Sequence, residues 1–277
     1  MILWCDGGHG ARENMRRDES LLRRADAAGE GSLEAEPVLR LFRFAPPGIT
    51  LGRAQAPDRT LDLERCAADA IEWAVRPTGG RAIFHDEEWT YSFVCRIDDP
   101  EWGGNLAQAY ARVSELIRDS LATLGLPVAL AASRSSSIAP APLEGGSPEP
   151  ATDRARPSCF ATTARHEIEL EGRKFVGSAQ RRTSCALLQQ GSVLLGDSHL
   201  RLADYLRVTG PMRESARAAL AQNAQPGGAW LGSNQGLARW DESLTGILGA
   251  RARHISGSEG ACFVGSRGAG SLYSHFC

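Results

Sequence analysis

The alternation of hydrophobic and polar positions is clearest between Trp89 and Ile97. In an extended chain, one side carries Trp89, Tyr91, Phe93, Cys95 and Ile97, and the other side carries smaller or polar residues. Successive side chains of a β-strand point to opposite faces of its sheet. This period of two therefore predicts a strand that lines a core.

A helical period of three to four residues follows between Asn105 and Gly125. Asn105 is suited to cap a helix N-terminus, and Gly125 is suited to end one. The spacing predicts a helix whose apolar face consists of Leu106, Ala109, Val113, Leu116, Ile117, Ser120 and Leu124. A second, more charged helix is predicted over 13–27, with Met15, Leu21, Leu22 and Ala25 as its apolar positions.

Other stretches of the N-terminal half are shorter. Leu39 to Leu51 alternates like strand, and Pro46-Pro47-Gly48 within it predicts a hairpin turn. Asp58 to Trp73 predicts a short helix followed by the start of a strand.

The C-terminal half predicts a meander of three antiparallel strands followed by helices. The strands are Arg165–Leu170, Lys174–Gln180 and Cys185–Leu195, and Glu171-Gly172 forms the first turn. Pairing across that turn sets Lys174 opposite Glu169. Helices are expected at about 199–208, 212–222 and 237–252, the last with an apolar face formed by Leu237, Trp240, Leu244, Ile247 and Leu248.

The pattern of elements predicts one domain over 1–255. Residues 131–157 contain five prolines and several serines without periodicity, which is typical of a long functional or disordered loop. Residues 256–277 are rich in glycine and serine and predict a loosely held tail. The sequence contains no internal repeat.

Composition narrows the class of protein. A chain of 277 residues with 42% hydrophobic residues can form one large core, and its formal net charge of −2 disfavours nucleic acid as a partner. The N-terminus becomes charged within a dozen residues, so we expect neither a secretory signal nor a membrane span, and a cytoplasmic protein. Seven cysteines without paired spacing favour free thiols in a reducing compartment.

Lys174 is the one lysine among thirty-one lysine and arginine residues. An ammonium is a compact point charge, whereas a guanidinium is planar and wider. A site that places a small cation beside a reacting atom would reject arginine. Chance survival of one lysine in an arginine-rich chain explains the same observation, and composition alone leaves both interpretations open.

Two further stretches could carry chemistry. In the run 76–86, Gly79-Gly80 would let the backbone approach a ligand closely, although a tight turn between strands explains the pair equally well. The run lacks the Gly-Lys-Ser/Thr ending of a nucleotide phosphate loop. His85, at a strand end, is more often a hydrogen-bonded structural residue than a catalytic one. The second stretch is Gly177-Ser178-Ala179, whose side chains are small enough for a ligand chain to pass.

Cys159 differs from most other cysteines in its context. Most cysteines are buried small hydrophobes. Cys66 and Cys95 fall on apolar faces, Cys5 and Cys277 lie at termini, and Cys185 begins a strand, whereas Cys159 follows the long loop. If Lys174 lowered the pKa of Cys159 from about 8.5 to about 7, roughly half of the thiol would be ionised at neutral pH. Strand register alone does not bring the two residues together.

Several strings together resemble the biotin/lipoate A/B protein ligase family, and within it the cysteine-dependent octanoyltransferases of lipoate assembly. The strings are Arg76-Pro-Thr-Gly-Gly-Arg-Ala-Ile-Phe-His-Asp86, Thr90-Tyr-Ser92, Ser158-Cys-Phe160 and Gly172-Arg-Lys-Phe-Val-Gly-Ser-Ala-Gln-Arg-Arg182. Supporting strings in the same order are Asn14-Met-Arg-Arg-Asp-Glu19, Ile49-Thr-Leu-Gly-Arg-Ala-Gln55 and Gln190-Gly-Ser-Val-Leu-Leu195. The resemblance covers about residues 10–250.

The resemblance implies an α/β (α+β) fold with a mixed, largely antiparallel sheet flanked by helices. It implies Cys159 as the acylated residue and Lys174 as its partner at the carbonyl. The residues implied to bind the acyl group or substrate are Arg76, Thr78, Gly79, Gly80, Arg81, His85, Gly177, Ser178 and Ala179. No metal site is implied.

Two departures from the family pattern count against nucleotide binding. Val75 stands where the family often has the first of two arginines. ATP-dependent ligases commonly carry Gly-Gly-Gly and His-Asp-x-Gly-Asn, whereas this chain has Arg81 after its two glycines and Glu87-Glu88-Trp89 after His85-Asp86.

The expected activity is transfer of an octanoyl group from acyl carrier protein, through a Cys159 thioester, to a lysine of an H protein or an E2 lipoyl domain. No cofactor is expected. Carrier and lipoyl domains are typically acidic, so arginines of the first helix and Arg181-Arg182 are candidate docking charges, although a solvated arginine face is the commoner explanation of any one pair. Alternatives are an ATP- and Mg-dependent lipoate ligase, an amidotransferase between lipoyl domains, and a non-enzymatic lipoyl-binding protein.

Overall fold

The computed structural model describes residues 1–29, 36–131, 167–232, 235–255 and 257–264. Its largest element is a sheet built from the strands β1 (Ile2–His9), β2 (Val38–Phe44), β6 (Glu88–Arg96), β7 (Val128–Leu130), β8 (Ile168–Leu170), β9 (Arg173–Arg182), β10 (Ala186–Leu194) and β11 (Arg253–Ile255). Their order across the sheet is β11-β1-β2-β6-β10-β9-β8-β7. β1 runs parallel to both of its neighbours, and the other pairs described here are antiparallel. The mixed, largely antiparallel sheet expected from the sequence is confirmed.

A second sheet of three strands contains β3 (Gly48–Leu51), β4 (Glu72–Val75) and β5 (Ile83–His85), in the order β4-β3-β5. The hairpin predicted around Pro46-Pro47-Gly48 is therefore wrong. β2 and β3 are both strands, but the turn between them carries the chain from the large sheet to the small one. A Pro-Gly turn reverses or redirects the chain, and its residues do not determine which sheet the next strand joins.

The helices are α1 (Ala11–Ala27), α2 (Pro57–Thr60), α3 (Leu63–Ala68), α4 (Leu106–Thr123), α5 (Leu202–Tyr205), α6 (Gly210–Asn223), α7 (Gly228–Leu231), α8 (Leu237–Leu248) and α9 (Gly257–Phe263). Short 3-10 helices lie at Asp197–Arg201 and Gly249–Arg251. The sequence predicted α1, α4, α6 and α8 with small differences at their ends. α8 ends at Leu248 rather than near residue 252, because Gly249 takes a φ of +51°.

Helix α4 is capped as its sequence predicts. The Asn105 side chain accepts a hydrogen bond from the Gln108 backbone, and the Gln108 side chain accepts one from the Asn105 backbone. Gly125, with a φ of +88°, follows the helix end. Leu106 was assigned wrongly to the apolar face, because it is 54% exposed in the first turn.

The main core lies between one face of the large sheet and the helices α4 and α8. Trp89, Tyr91 and Phe93 of β6 supply its aromatic centre, as their alternation predicts. The ring of Trp89 stacks on that of Trp240 with centroids 5.4 Å apart. A second core lies on the opposite face, where α1 and α9 cover β1 and β2.

The C-terminal meander is confirmed, since β8, β9 and β10 are successive antiparallel neighbours. Glu171 and Gly172 form the tight turn between β8 and β9, with φ angles of +52° and +75°. Lys174 pairs with Glu169, as the predicted register requires.

The ends of the described chain differ from expectation. β1 and β11 were not predicted, and α9 lies within the segment expected to be a loose tail. The backbone of Gly260 packs on the indole of Trp4. The proline-rich loop at 131–157 lies, apart from residue 131, outside the described residues, as do residues 265–277. Of the helices that are described, none has the length and apolarity required to span a bilayer.

Candidate functional site

A small pocket lies where the two sheets meet, on the side of the large sheet that α1 covers. Five of the residues singled out from the sequence line it together: Arg76, His85, Gly177, Ser178 and Ala179. Met15, Phe44 and Ile83 give it apolar surface. It encloses about 30 Å³, which is room for about one water molecule. An acyl chain entering here would have to displace flexible side chains, of which Met15 is the most adaptable.

The Gly-Gly loop, residues 76–82, connects β4 to β5 and forms one wall of the site. Arg76 is 4% exposed, and its Nη2 donates to the carbonyl oxygens of Gly79 and Arg81 at 2.7 and 2.8 Å. Gly80 has a φ of +90°, and its carbonyl oxygen lies so close to Gly52 that a Cβ there would approach within 1.9 Å. Arg76 therefore holds the loop's carbonyls, while Gly79, Gly80 and Arg81 do not line the pocket.

Thr78 connects the Gly-Gly loop to the large sheet. Its hydroxyl is fully buried and donates to Gln190 Oε1 at 2.7 Å, and Gln190 Nε2 donates to Asp18 Oδ2 at 2.6 Å. Gln190 lines the pocket. The loop is therefore linked by two buried hydrogen bonds to a carboxylate on α1.

Asp18 belongs to a buried charged cluster with Arg40 at its centre. The Arg40 guanidinium is fully buried and donates to Asp18 Oδ1, Asp6 Oδ2 and Asn14 Oδ1 at 2.6 to 2.7 Å. Ser92 donates a further hydrogen bond to Asp18 at 2.6 Å. This cluster, residues 6, 14, 18 and 40, joins β1, α1 and β2 behind the pocket, so its charges are compensated inside the protein.

His85 is held from both sides of its ring. Nδ1 lies 2.6 Å from Glu88 Oε1, and Nε2 lies 2.6 Å from Thr50 Oγ1. Phe44 stacks on the ring at a centroid distance of 3.9 Å. Glu88 is itself buried and also accepts a hydrogen bond from Thr90 at 2.7 Å. His85 is a pocket wall with both nitrogens engaged, which is the structural role that the sequence favoured.

A β-bulge determines which face of β9 carries Lys174. Ile168 pairs with Val176 and Glu169 pairs with Lys174, so Phe175 is an extra residue on β9. Phe175 and Val176 both pack in the main core. Because a bulge shifts the alternation by one residue, Lys174 lies on the face opposite the main core, as does the pocket-lining Gly177.

Lys174 is 1% exposed and forms an ion pair with Glu167, which is 4% exposed. The Nζ to Oε1 distance is 2.5 Å. Lys174 does not itself line the small pocket, although Gly177 of the same strand does. The lone lysine of the chain is thus a buried, charge-compensated side chain and not a solvated surface residue.

Cys159, the predicted nucleophile, lies outside the described residues. Among the cysteines whose side chains are described, burial raises the pKa of Cys66 to about 11 and raises that of Cys95 further. Burial, with Asp241 nearby, also raises the pKa of Cys5. These three thiols are stabilised in the protonated form, so none of them is an activated nucleophile. The described part of the chain also contains no cluster of three or more His, Cys, Asp or Glu side chains that could hold a metal ion.

The predicted docking arginines are largely engaged within the protein. Arg17 is 13% exposed and pairs with Asp6 at 2.6 Å, so its assignment to a docking surface is wrong. Arg16 pairs with Glu13 at 2.7 Å, and Arg182 donates to the Gly104 carbonyl at 2.7 Å. Arg23 pairs with Glu19 at 2.9 Å and has 63% of its side chain exposed.

Sequence reasoning gave no role to Asp18, Arg40, Glu88, Glu167 or Gln190. A signal for two of them is present in the sequence, since Arg40 interrupts the apolar run of β2 and Gln190 lies in the middle of β10. A polar residue inside a buried strand needs a partner, which marks it for attention. Glu167 has no comparable signal.

Comparison with known sequences identifies relatives. An octanoyltransferase LipM of Moorella thermoacetica is 37% identical over 182 residues, which are 66% of this chain and 60% of the relative. One from Symbiobacterium thermophilum is 36% identical over 194 residues, 69% of this chain and 64% of the relative. The chain thus spans less than two thirds of the length of these relatives.

Solved structures share the fold. A bipartite lipoate protein ligase of Thermoplasma acidophilum superposes with a TM-score of 0.69 over 95% of this chain and 89% of its own, at 18% identity. Lipoate-protein ligase A bound with ATP gives a TM-score of 0.65 over 95% of this chain and 92% of its own, also at 18% identity. At such identities the likeness concerns the fold alone.

The family model of the lipoyl protein ligase A/B catalytic domain matches residues 10–222, which include α1, the Gly-Gly loop, β9 and β10. Every described residue of the pocket lies within that range. This chain belongs to the lipoyl protein ligase A/B catalytic-domain family.

Proposed function

We propose that this protein is an octanoyltransferase of protein lipoylation, which moves an octanoyl group from acyl carrier protein to a lysine of a lipoyl-accepting protein. The observation that carries the proposal is the buried Lys174 on the pocket face of β9, in a chain whose relatives at 36 to 37% identity are named octanoyltransferases. A compact cation on the same face of β9 as the pocket suits a reaction in which negative charge develops on a carbonyl oxygen.

In the first step, the Cys159 thiolate attacks the carbonyl carbon of the carrier-bound octanoyl thioester. The tetrahedral intermediate carries an oxyanion, which the Lys174 ammonium stabilises. Collapse of the intermediate breaks the bond to the carrier sulfur, which leaves as a thiolate. The product is an octanoyl-Cys159 thioester.

In the second step, the neutral amine of the acceptor lysine attacks the octanoyl-Cys159 thioester. The amide bond forms, the bond to the Cys159 sulfur breaks, and the proton lost by the amine passes to water or to the thiolate. One thioester exchange followed by amide formation needs neither an oxidant nor an activating nucleotide. We therefore propose a reaction without ATP or metal, with octanoyl-acyl carrier protein as donor and an H protein or E2 lipoyl domain as acceptor.

The test is incubation with octanoyl-acyl carrier protein in the absence of ATP, followed by intact mass measurement. We expect one octanoyl group, in a bond that hydroxylamine cleaves, and peptide mapping should find it on Cys159. Cys159→Ala should remove the adduct and the transfer. Cys5→Ala is the matched control, because Cys5 is a half-buried thiol whose pKa is raised, and it should acylate normally.

An unmodified wild-type protein, or an adduct that requires ATP, would overturn this proposal in favour of an ATP-dependent lipoate ligase. An adduct formed from an octanoylated lipoyl domain but not from the carrier protein would identify an amidotransferase. Transfer that survives in Cys159→Ala would remove Cys159 from the mechanism.

A further inference from the structure

We propose that Glu167 is a positioning residue, which fixes the Lys174 ammonium on the pocket face of β9 during acyl transfer. This inference rests on the octanoyl transfer proposed above and assigns a function to a residue next to the predicted catalytic lysine. The carboxylate lies 2.5 Å from Nζ, and 4% of the Glu167 side chain and 2% of the Lys174 side chain are exposed.

The backbone at Glu167 and the backbone at Lys174 are each hydrogen-bonded to a neighbouring segment. The Glu167 carbonyl accepts a hydrogen bond from Ala131 at 2.7 Å, and the Lys174 carbonyl accepts one from Gln225 at 2.9 Å. Lys174 also pairs with Glu169 on β8 and bridges to Ala224 on its other side. A side chain mounted on paired strands is held more closely than one on a loop.

The lysine side chain itself has four rotatable bonds and is flexible unless its end is held. A hydrogen-bonded carboxylate restricts those rotations and compensates a charge that burial would otherwise disfavour. An ammonium stabilises an oxyanion only if it already lies where that charge develops. Glu167 meets this requirement, because its carboxylate holds the end of the Lys174 side chain on the pocket face.

Glu169 offers a matched comparison. It is two residues from Glu167, it faces the same side of β8, and it pairs directly with Lys174 in the strand register. It is also more exposed than Glu167. A general effect of negative charge near Lys174 would make the two glutamates equivalent, whereas a positioning role belongs to Glu167.

The kinetic test compares Glu167→Gln, Glu167→Asp and Glu169→Gln with the wild type, after circular dichroism has shown each to be folded. Glu167→Gln should lower kcat by about tenfold to a hundredfold, less than the loss of about 10²–10³ that follows deletion of an oxyanion donor. Its KM for the octanoyl carrier should stay within about twofold of the wild type, since the interaction acts in the transition state. Glu167→Asp should recover part of the rate, and Glu169→Gln should behave as wild type.

A double-mutant cycle distinguishes positioning from an independent effect. If Glu167 acts through Lys174, Glu167→Gln should cause no further loss in a Lys174→Met background. Multiplying losses would overturn the proposal, as would wild-type kcat in Glu167→Gln or an equal loss in Glu169→Gln.

A readout independent of activity separates this inference from the proposed function. The chain contains one lysine, so protein labelled with ¹⁵N-lysine gives one side-chain ammonium signal. That signal should be present in the wild type and in Glu169→Gln, and should move or disappear in Glu167→Gln. If the wild type transfers no octanoyl group, the proposed function fails, and the ammonium signal alone decides whether Glu167 fixes Lys174. An unchanged signal in Glu167→Gln overturns the inference whatever the activity.

Discussion

The burial of Lys174 leads to a prediction about a substitution that conserves its charge. Lys174→Arg should reduce turnover nearly as much as Lys174→Ala, by about 10²–10³-fold, because a guanidinium retains the charge but is too wide for the buried position. Steady-state transfer from octanoyl carrier protein measures the effect. The matched control is Arg173→Lys on the neighbouring exposed residue, which should leave the rate unchanged.

A near-normal rate in Lys174→Arg would contradict this prediction. Lysine would then have survived at position 174 by chance, which composition alone had left open. The burial of the side chain and its ion pair favour the chemical explanation, because a solvated lysine would be neither buried nor paired. Glu167 could not be found in the same way, since glutamates are common and its ion pair with Lys174 depends on a register that is visible only in three dimensions.

At the scale of elements, the charged cluster around Arg40 joins α1 to β1 and β2, and Gln190 links its Asp18 to Thr78 of the Gly-Gly loop. Disruption of the cluster should therefore be costly. Asp18→Asn leaves one oxygen where two accept hydrogen bonds and removes a charge that faces a fully buried guanidinium. We expect a loss of about 3 kcal/mol in the free energy of unfolding, measured by urea denaturation.

The control for this prediction is a substitution of the adjacent residue, Glu19. Glu19 pairs with Arg23, whose side chain is 63% exposed, so Glu19→Gln should cost less than about 1 kcal/mol. If the two substitutions had equal effects on the urea midpoint, the buried cluster would contribute no more than a surface pair.

Local patterns predicted the elements whose partners are close in sequence. The alternation in β6, the Asn105 N-cap of α4 and the Glu171-Gly172 turn each determine local structure through steric and hydrogen-bonding rules, and each is confirmed. β11 pairs with β1 across some 250 residues, and no local signal specifies that contact. The wrong prediction of a hairpin between β2 and β3 has the same cause. The turn was predicted correctly, but the strand pairing depends on residues that are distant in sequence.

The residues of the candidate site also fall into those that the local sequence could predict and those that it could not. The sequence supplied Arg76, His85 and the run 177–179, which do meet in one pocket. The sequence could not predict which face of β9 carries Lys174, because an uninterrupted strand would place positions 174 and 177 on opposite faces. The bulge at Phe175 reverses that expectation, and bulges depend on the partner strand.

Across the whole molecule, hydrogen-bonded carboxylates should make stability depend on acid pH. Hydrogen bonds from Arg16 and then Arg17 lower the pKa of Glu13 from 4.5 to about 2. The stabilisation is complete above the unfolded value of 4.5 and is lost as the pH falls toward 2. Glu13→Gln should therefore be less stable than the wild type at neutral pH, and the difference should shrink as the pH is lowered through that range.

Urea midpoints measured at several pH values between about 6 and about 2.5 check this expectation. A hydrogen bond from Thr183 likewise lowers the pKa of Asp26, and one from Arg96 lowers the pKa of Asp98. The Glu13→Gln protein should therefore retain part of the acid sensitivity of the wild type. A difference between wild type and Glu13→Gln that stays constant with pH would show that the Glu13 carboxylate titrates alike in the folded and unfolded chain.

The burial of Lys174 has a consequence for chemical selectivity. A thioester that acylates lysines would also acylate any ε-amine on its own surface, and such a catalyst would accumulate dead-end amides as it worked. This chain contains one ε-amine, and that amine is enclosed and bonded to a carboxylate. Under the proposed function, the group that assists transfer would thereby be withheld from being its recipient, and no lysine side chain of this sequence would compete with the acceptor protein.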